Sequence, residues 1–197
     1  MRELKGLTVA NDMTEKTLQR VQELEARGIT PMLATVRVGA NPGDIAYENG
    51  LLERAEKNGI DSEQIVLPEN ITQEDLLAEI DKLNQDPGVD GVLIFRPLPK
   101  QIDEEAVCRA LDPKKDVDGI TPGSMAGVFM GSEKGFPPCT AAACIQMLDY
   151  YGIDLNGKNV TVFGRCLLYT SHPLVFLLPF KTFVGMCRVA MHPEDRP

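Results

Sequence analysis

From residue 14 to residue 163 the chain alternates between two hydrophobic rhythms. Residues 14–27 carry Leu18, Val21 and Leu24 at helical spacing, and Gly28 closes the segment. Residues 32–38 form an apolar, β-branched run that predicts a strand. Residues 39–43 are a turn cluster containing Asn41 and Pro42. A helix is expected from about 44 to 58, stopped by Gly59, and then a short strand over 64–67. Thr72 is a candidate N-cap for a helix whose Leu76, Leu77, Ile80 and Leu83 face inward. Residues 91–95 predict another strand, ending at Pro97-Leu98-Pro99, and 103–111 a helix. Residues 112–123 read as a polar loop, with prolines and glycines throughout. Residues 141–151 predict a helix closed by Gly152, and 159–163 a strand.

Strands that alternate with helices of about ten residues or more predict an α/β fold with a mostly parallel sheet covered on both faces. The crossovers are then right-handed, and ligands bind beyond the carboxyl ends of the strands. That directs attention to residues 38–44, to 95–99 and to whatever follows Phe163.

The net charge of −9 argues against nucleic acid as a partner, because phosphate binding needs clustered Lys and Arg. The five cysteines, Cys108, Cys139, Cys144, Cys166 and Cys187, include no CxxC pair, so free thiols in a reducing compartment are expected. The N-terminus has no apolar signal core, and the apolar run 174–186 is shorter than the roughly 20 residues of a membrane helix. These features place the protein in the cytoplasm, with no membrane partner. His172 and His192 are the only histidines, which leaves no Ser-His-Asp or histidine–metal site within 1–165, and no metal is expected.

Some residues could carry chemistry. Tyr47, one turn into its helix, could stack on a flat ring or simply pack. The loop Asp112-Pro-Lys-Lys-Asp116-Val-Asp118-Gly119 is either a solvated turn or a carboxylate site for the N–H edge of a heterocycle. Cys139, with no histidine nearby, reads as a small buried residue and not as a nucleophile. The strand 159–163 followed by Gly164-Arg165 resembles the start of a dinucleotide-binding unit, but the further glycines of that fingerprint do not follow.

Taken together, these pieces resemble the tetrahydrofolate dehydrogenase/cyclohydrolase family. The likeness rests on Gly28-Ile-Thr-Pro31, Val36-Arg-Val-Gly39, Tyr47, Gly59-Ile60, Pro97-Leu-Pro99 and Ile102-Asp-Glu104. It continues through Lys115-Asp-Val-Asp118-Gly119, Pro138-Cys-Thr140 and Tyr151-Gly-Ile153, in family order and spacing. The resemblance implies an α/β, parallel-sheet folate-binding catalytic domain over 1–140, then a Rossmann-type domain beginning at 141. It implies NADP-dependent oxidation of 5,10-methylenetetrahydrofolate, hydrolysis of the methenyl product to 10-formyltetrahydrofolate, and a homodimer. Tyr47 matches the tyrosine that stacks on folate, and Asp118 the aspartate that binds the pterin; these are the candidate catalytic residues. Pro97, Pro99, Pro138 and Thr140 match cleft-lining positions, and Gly164 and Arg165 the start of the NADP site.

The sequence departs from the family's pattern at two positions. The lysine expected four residues after the tyrosine is Leu51, and the glutamine that orients it is Phe95. Both replacements are apolar, so one interacting pair has changed as a unit. Hydride transfer depends mainly on positioning and could survive this, whereas cyclohydrolysis is not expected to. Arg54 and Arg96 are candidate replacement cations. Beyond Arg165 the family pattern breaks off. The expectation is that 166–197 is a non-family tail joined to a gene fragment, leaving a truncated Rossmann-type domain and an inactive chain. The alternatives are a folate-binding paralogue without catalysis and an unrelated shikimate-type dehydrogenase.

Overall fold

The computed structural model describes residues 3–132, 134–157, 160–162 and 189–191, the last two segments as backbone alone. Its centre is a parallel sheet in the order β2-β1-β3, formed by β2 (Asp61–Leu67), β1 (Met32–Val38) and β3 (Gly91–Ile94). Parallel neighbours need long crossovers. Here α2 (Pro42–Lys57) joins β1 to β2, and α3 (Gln73–Gln85) joins β2 to β3.

β1 is buried on both faces, and the two faces differ in chemistry. Ala34 and Val36 enter an apolar core with Leu76, Ile80 and Leu83 of α3, Val92 and Ile94 of β3, and Val107 of α4 (Glu104–Ala110). Thr35 and Arg37, pointing the other way by the period-2 rule, meet Glu48 of α2. Thr72 caps α3 as expected, its Oγ accepting from the Asp75 amide at 3.1 Å.

α1 (Gly6–Glu25), α2 and α6 (Cys139–Tyr150) begin earlier than the apolar pattern suggests. On α1 only Val9 and Val21 are buried. Its first turns lack an apolar stripe and were invisible to periodicity. They are held instead by a segment distant in sequence: the Tyr151 hydroxyl donates to the Lys5 carbonyl at 3.0 Å, just after α6. α2 starts at Pro42 because Asn41 caps it, accepting from the Gly43 amide at 2.8 Å. β2 is longer than expected because its first residues, Asp61 to Gln64, lie exposed and carry no alternation.

The expected loop 112–123 holds as far as Thr121, and its last two residues already belong to a helix that the sequence reading did not anticipate. α5 (Pro122–Met130) follows, hidden in the sequence by Pro122, Gly123 and Gly127. Proline is tolerated at the first helical position, and Thr121 accepts from the Ser124 amide at 3.0 Å as the cap. Two short backbone strands, β4 (Val160–Val162) and β5 (Val189–Met191), pair antiparallel. The second falls in the stretch that was expected to be a tail without family structure.

Candidate active-site cleft

The loop after α4 uses its two aspartates differently. Asp116 is fully buried and spent on structure. Its carboxylate accepts from the Ile120 amide at 2.9 Å, the Thr121 amide at 2.7 Å and the Ser124 hydroxyl at 2.7 Å. Those bonds wind the loop into the start of α5. Asp118 is half-buried and takes no hydrogen bond from a described residue. Burial raises its pKa, the Arg96 charge opposes that rise, and Asp116 adds to it. One carboxylate holds the loop while the other remains an open acceptor.

Gly119 makes the loop's next contact possible. Its φ is +67°, and a Cβ there would lie 2.6 Å from the Pro138 nitrogen and 2.8 Å from the Phe136 carbonyl oxygen. The segment leading into α6 is thus pressed against the aspartate loop. The Cys139 thiol donates to the Val117 carbonyl at 3.1 Å, closing the same seam. Cys139 is exposed there, contrary to the small buried residue expected from sequence. Its pKa is raised by burial around the sulfur and by Asp118 and Asp116.

Tyr47 approaches from α2. Its ring is 63% exposed and meets the ring of Phe95, only 7% exposed, edge to face at 5.8 Å. Partial burial raises the phenol's pKa, and the neighbouring Asp118 carboxylate and Cys139 raise it further. Tyr47, Phe95, Asp118 and Cys139 therefore converge from α2, the end of β3, the aspartate loop and the start of α6. Leu51 lies half-buried one turn after Tyr47. Pro97 is exposed, Pro99 half-buried, Pro138 buried and Thr140 exposed. The Arg96–Pro97 peptide is cis. Arg54 is exposed on α2. Gly164 and Arg165 lie outside the described residues.

Two polar devices around the cleft were not anticipated from sequence. Arg37 donates to Glu48 at 2.9 Å and to the Gly39 carbonyl, while the Thr35 hydroxyl donates to Glu48 at 2.9 Å. This buried triad fixes the helix that carries Tyr47. The clue in the sequence is a charged residue inside an otherwise apolar strand, with a carboxylate 11 positions later. The second device is Glu104, which pairs with Arg96 at 3.3 Å and accepts from the Leu98 amide at 3.2 Å.

Chemically, the cleft offers an aromatic face at Tyr47, an open carboxylate at Asp118 and an apolar wall at Leu51 and Phe95. It suits a flat heterocycle with an N–H donor edge. Among the described residues no cluster of His, Cys, Asp and Glu is arranged to hold a metal ion, and no helix is long and apolar enough to cross a membrane. A separate hollow of about 620 Å³ lies at the opposite end of the sheet, among Glu25, Glu53, Glu56 and Asp61, far from this chemistry.

Residues 4–118 match the family model described as the tetrahydrofolate dehydrogenase/cyclohydrolase catalytic domain. The bifunctional protein FolD of Alkaliphilus metalliredigens is 40% identical over 186 residues, covering 94% of this chain and 66% of the relative. That of Clostridioides difficile is 40% identical over 93% of this chain and 64% of the relative. The crystal structure of the bifunctional FolD enzyme from Campylobacter jejuni superposes with a TM-score of 0.86 at 32% identity, over 93% of this chain and 66% of that one. The chain thus spans just under two thirds of the length of these relatives. A match covering 94% of the chain runs past Arg165, where the resemblance was expected to stop. The chain belongs to the tetrahydrofolate dehydrogenase/cyclohydrolase family.

Proposed function

We propose that this chain carries the folate side of a dehydrogenase that oxidises 5,10-methylenetetrahydrofolate to the methenyl form, with NADP accepting the hydride. The observation that carries this reading is the convergence of Tyr47 and Asp118, from separate elements, on one cleft beyond the carboxyl ends of the strands. In the proposal the Tyr47 ring stacks on the pterin. Asp118 accepts from the N–H and NH₂ groups along the ring's edge. Pro97, Pro99, Pro138 and Thr140 line the passage.

NADP enters the proposal through relatives, such as the Trypanosoma brucei dehydrogenase–cyclohydrolase, whose structure is described as a complex with NADP and inhibitor. Oxidation requires the folate's reacting carbon to be held against the nicotinamide, which is a task of positioning. Leu51 and Phe95 supply no proton and polarise no water, so the reading assigns oxidation to this cleft and withholds hydrolysis to 10-formyltetrahydrofolate. It also places the protein in the cytoplasm, as a homodimer, in the one-carbon metabolism that feeds purine biosynthesis.

The test is to follow NADP reduction with 5,10-methylenetetrahydrofolate and, separately, hydrolysis of methenyltetrahydrofolate. Reduction without hydrolysis above background is the expected result. Tight tetrahydrofolate binding with neither reaction would favour a binding paralogue. No binding at all would end the folate reading.

A further inference from the structure

β1 reaches both rings of the cleft at once. Along its edge, the Val36 carbonyl accepts from the Phe95 amide at 2.9 Å. On the face turned to α2, the residues on either side of Val36 hold Glu48. The Thr35 hydroxyl and the Arg37 Nε each donate to its carboxylate at 2.9 Å. Glu48 directly follows Tyr47, whose ring meets the ring of Phe95 at 5.8 Å. The contacts therefore close a circuit. It runs from Phe95 to Val36 through the backbone, from Thr35 and Arg37 to Glu48 through side chains, and from Tyr47 back to Phe95 ring to ring. A second donation from Arg37, to the Gly39 carbonyl, ties the turn before α2 into the same circuit.

Thr35, Arg37 and Glu48 are all buried. An ion pair taken out of water adds little stability over a well-packed apolar pair of similar volume. What it supplies is direction. A carboxylate gripped by a planar guanidinium and a hydroxyl has one place to sit, whereas two apolar side chains slide over each other. Nothing else on α2 gives the Tyr47 end of the helix that grip. The helix buries only Glu48 and Ala55, and Ala55 lies near its other end.

We propose that the Arg37–Glu48 pair, with Thr35, is the positioning device of Tyr47, setting its ring at the tilt against Phe95 from which it stacks on the bound pterin. The assignment rests on the folate reading for its ligand. The contact between the two rings is measurable without any ligand.

The experiment compares the whole chain with Arg37→Met/Glu48→Leu, with Phe95→Leu, and with the three substitutions together. The Thr35 hydroxyl keeps an acceptor throughout, the Glu63 carbonyl at 3.5 Å. Urea unfolding reads stability, nuclear Overhauser contacts between the two rings read the tilt in the ligand-free protein, and calorimetry reads tetrahydrofolate binding. The pair variant should unfold close to the wild-type midpoint yet lose its defined Tyr47–Phe95 contact. Its affinity should fall by up to about tenfold, the scale of one aromatic contact. In the Phe95→Leu background the same pair substitution should cost almost no further affinity, because the contact it sets is already gone. Wild-type ring contacts and affinity in the pair variant, or losses that simply add in the combined one, would overturn the assignment. Should the pair variant not fold, Arg37→Met/Glu48→Met, with a more adaptable side chain, carries the same test. Failure of both to fold would also overturn it, since the pair would then serve the fold itself. If the ring contact is lost but wild-type protein takes up no tetrahydrofolate, the folate reading fails and the positioning of Tyr47 stands.

Discussion

The ring of Tyr47 meets the ring of Phe95 edge to face, with centroids 5.8 Å apart and planes at 82°. An aromatic pair of this geometry contributes on the order of 1 kcal/mol beyond its buried area. Here it also has a directional effect. Phe95 is anchored in the core, whereas Tyr47 is mostly exposed, so the buried ring sets the tilt of the exposed one. Where the family's pattern puts a glutamine that orients a lysine, this chain has a phenylalanine that orients a tyrosine.

Behind Tyr47, the pair Arg37–Glu48 ties α2 to β1 from the sheet side, with Glu48 only 1% exposed. Two buried charges cost several kcal/mol to desolvate and regain it only through mutual attraction and hydrogen bonds. Glu48→Leu alone should therefore destabilise the chain by about 3–5 kcal/mol, because it strands the Arg37 guanidinium. Glu48→Leu combined with Arg37→Met should recover most of that loss. Urea unfolding of the single and double variants checks both expectations.

The fold was legible wherever apolar residues recur. The inward leucines and isoleucine of α3 and the double burial of β1 followed from spacing alone. What spacing could not show were features held by polar bonds, including those between segments distant in sequence. α1 begins eight residues before its stripe because Tyr151 grips Lys5, and α5 forms because Asp116 and Thr121 cap it through Pro122 and glycines. In the site, resemblance singled out Tyr47 and Asp118, and the structure brings the two near each other. The Arg37–Glu48 and Arg96–Glu104 pairs were not, since each joins residues whose proximity depends on tertiary packing.

Asp118 sets stability against recognition. Its carboxyl has a raised pKa in the folded chain, chiefly through burial. A group raised in this way stabilises the fold fully below its unfolded pKa, and that contribution is lost as the pH rises through the folded value. At neutral pH the ionised carboxylate is therefore a net cost. Asp118→Asn should raise the melting temperature slightly near neutrality, solvent screening of the half-buried carboxylate keeping the gain small. The gain should shrink on acidification. Tetrahydrofolate binding should weaken by more than about tenfold, since an amide presents donors to donors. Thermal melts across pH, paired with calorimetric binding, check both halves.

Gly119 is the hinge of the seam between the aspartate loop and the start of α6. Its positive φ disfavours any side chain, and a Cβ would press on backbone atoms of residues 136–138 that cannot swing aside. Gly119→Ala should cost about 2 kcal/mol or more, combining strain with overpacking. Because the displaced backbone leads into Pro138 and Cys139, the Cys139 thiol should lose its bond to Val117. Faster alkylation of Cys139 in the variant, alongside a lower urea midpoint, would report that opening. Unchanged thiol reactivity would count against the seam.

Leu51 and Phe95 predict a gain of function that neither single replacement should give. Leu51→Lys alone places an ammonium on a half-buried helix face, one turn from Tyr47, with the apolar Phe95 ring standing where the family's pattern has a glutamine. Desolvation should depress that lysine's pKa, and the cost to stability should be about 1–3 kcal/mol. Phe95→Gln alone empties an aromatic from the core edge and leaves a buried amide without a partner, at a similar or greater cost. Made together, the lysine gains an acceptor and the glutamine a donor. The double variant should be more stable than the sum of the single changes implies, by about 1 kcal/mol or more of coupling. It should also hydrolyse methenyltetrahydrofolate measurably above wild type, because the cleft then holds a cation able to polarise a water beside the bound ring. A double-mutant cycle in urea, run with the hydrolysis assay, separates the outcomes. Coupling without hydrolysis would mean that the pair had been rebuilt but that cyclohydrolysis needs more than these two residues.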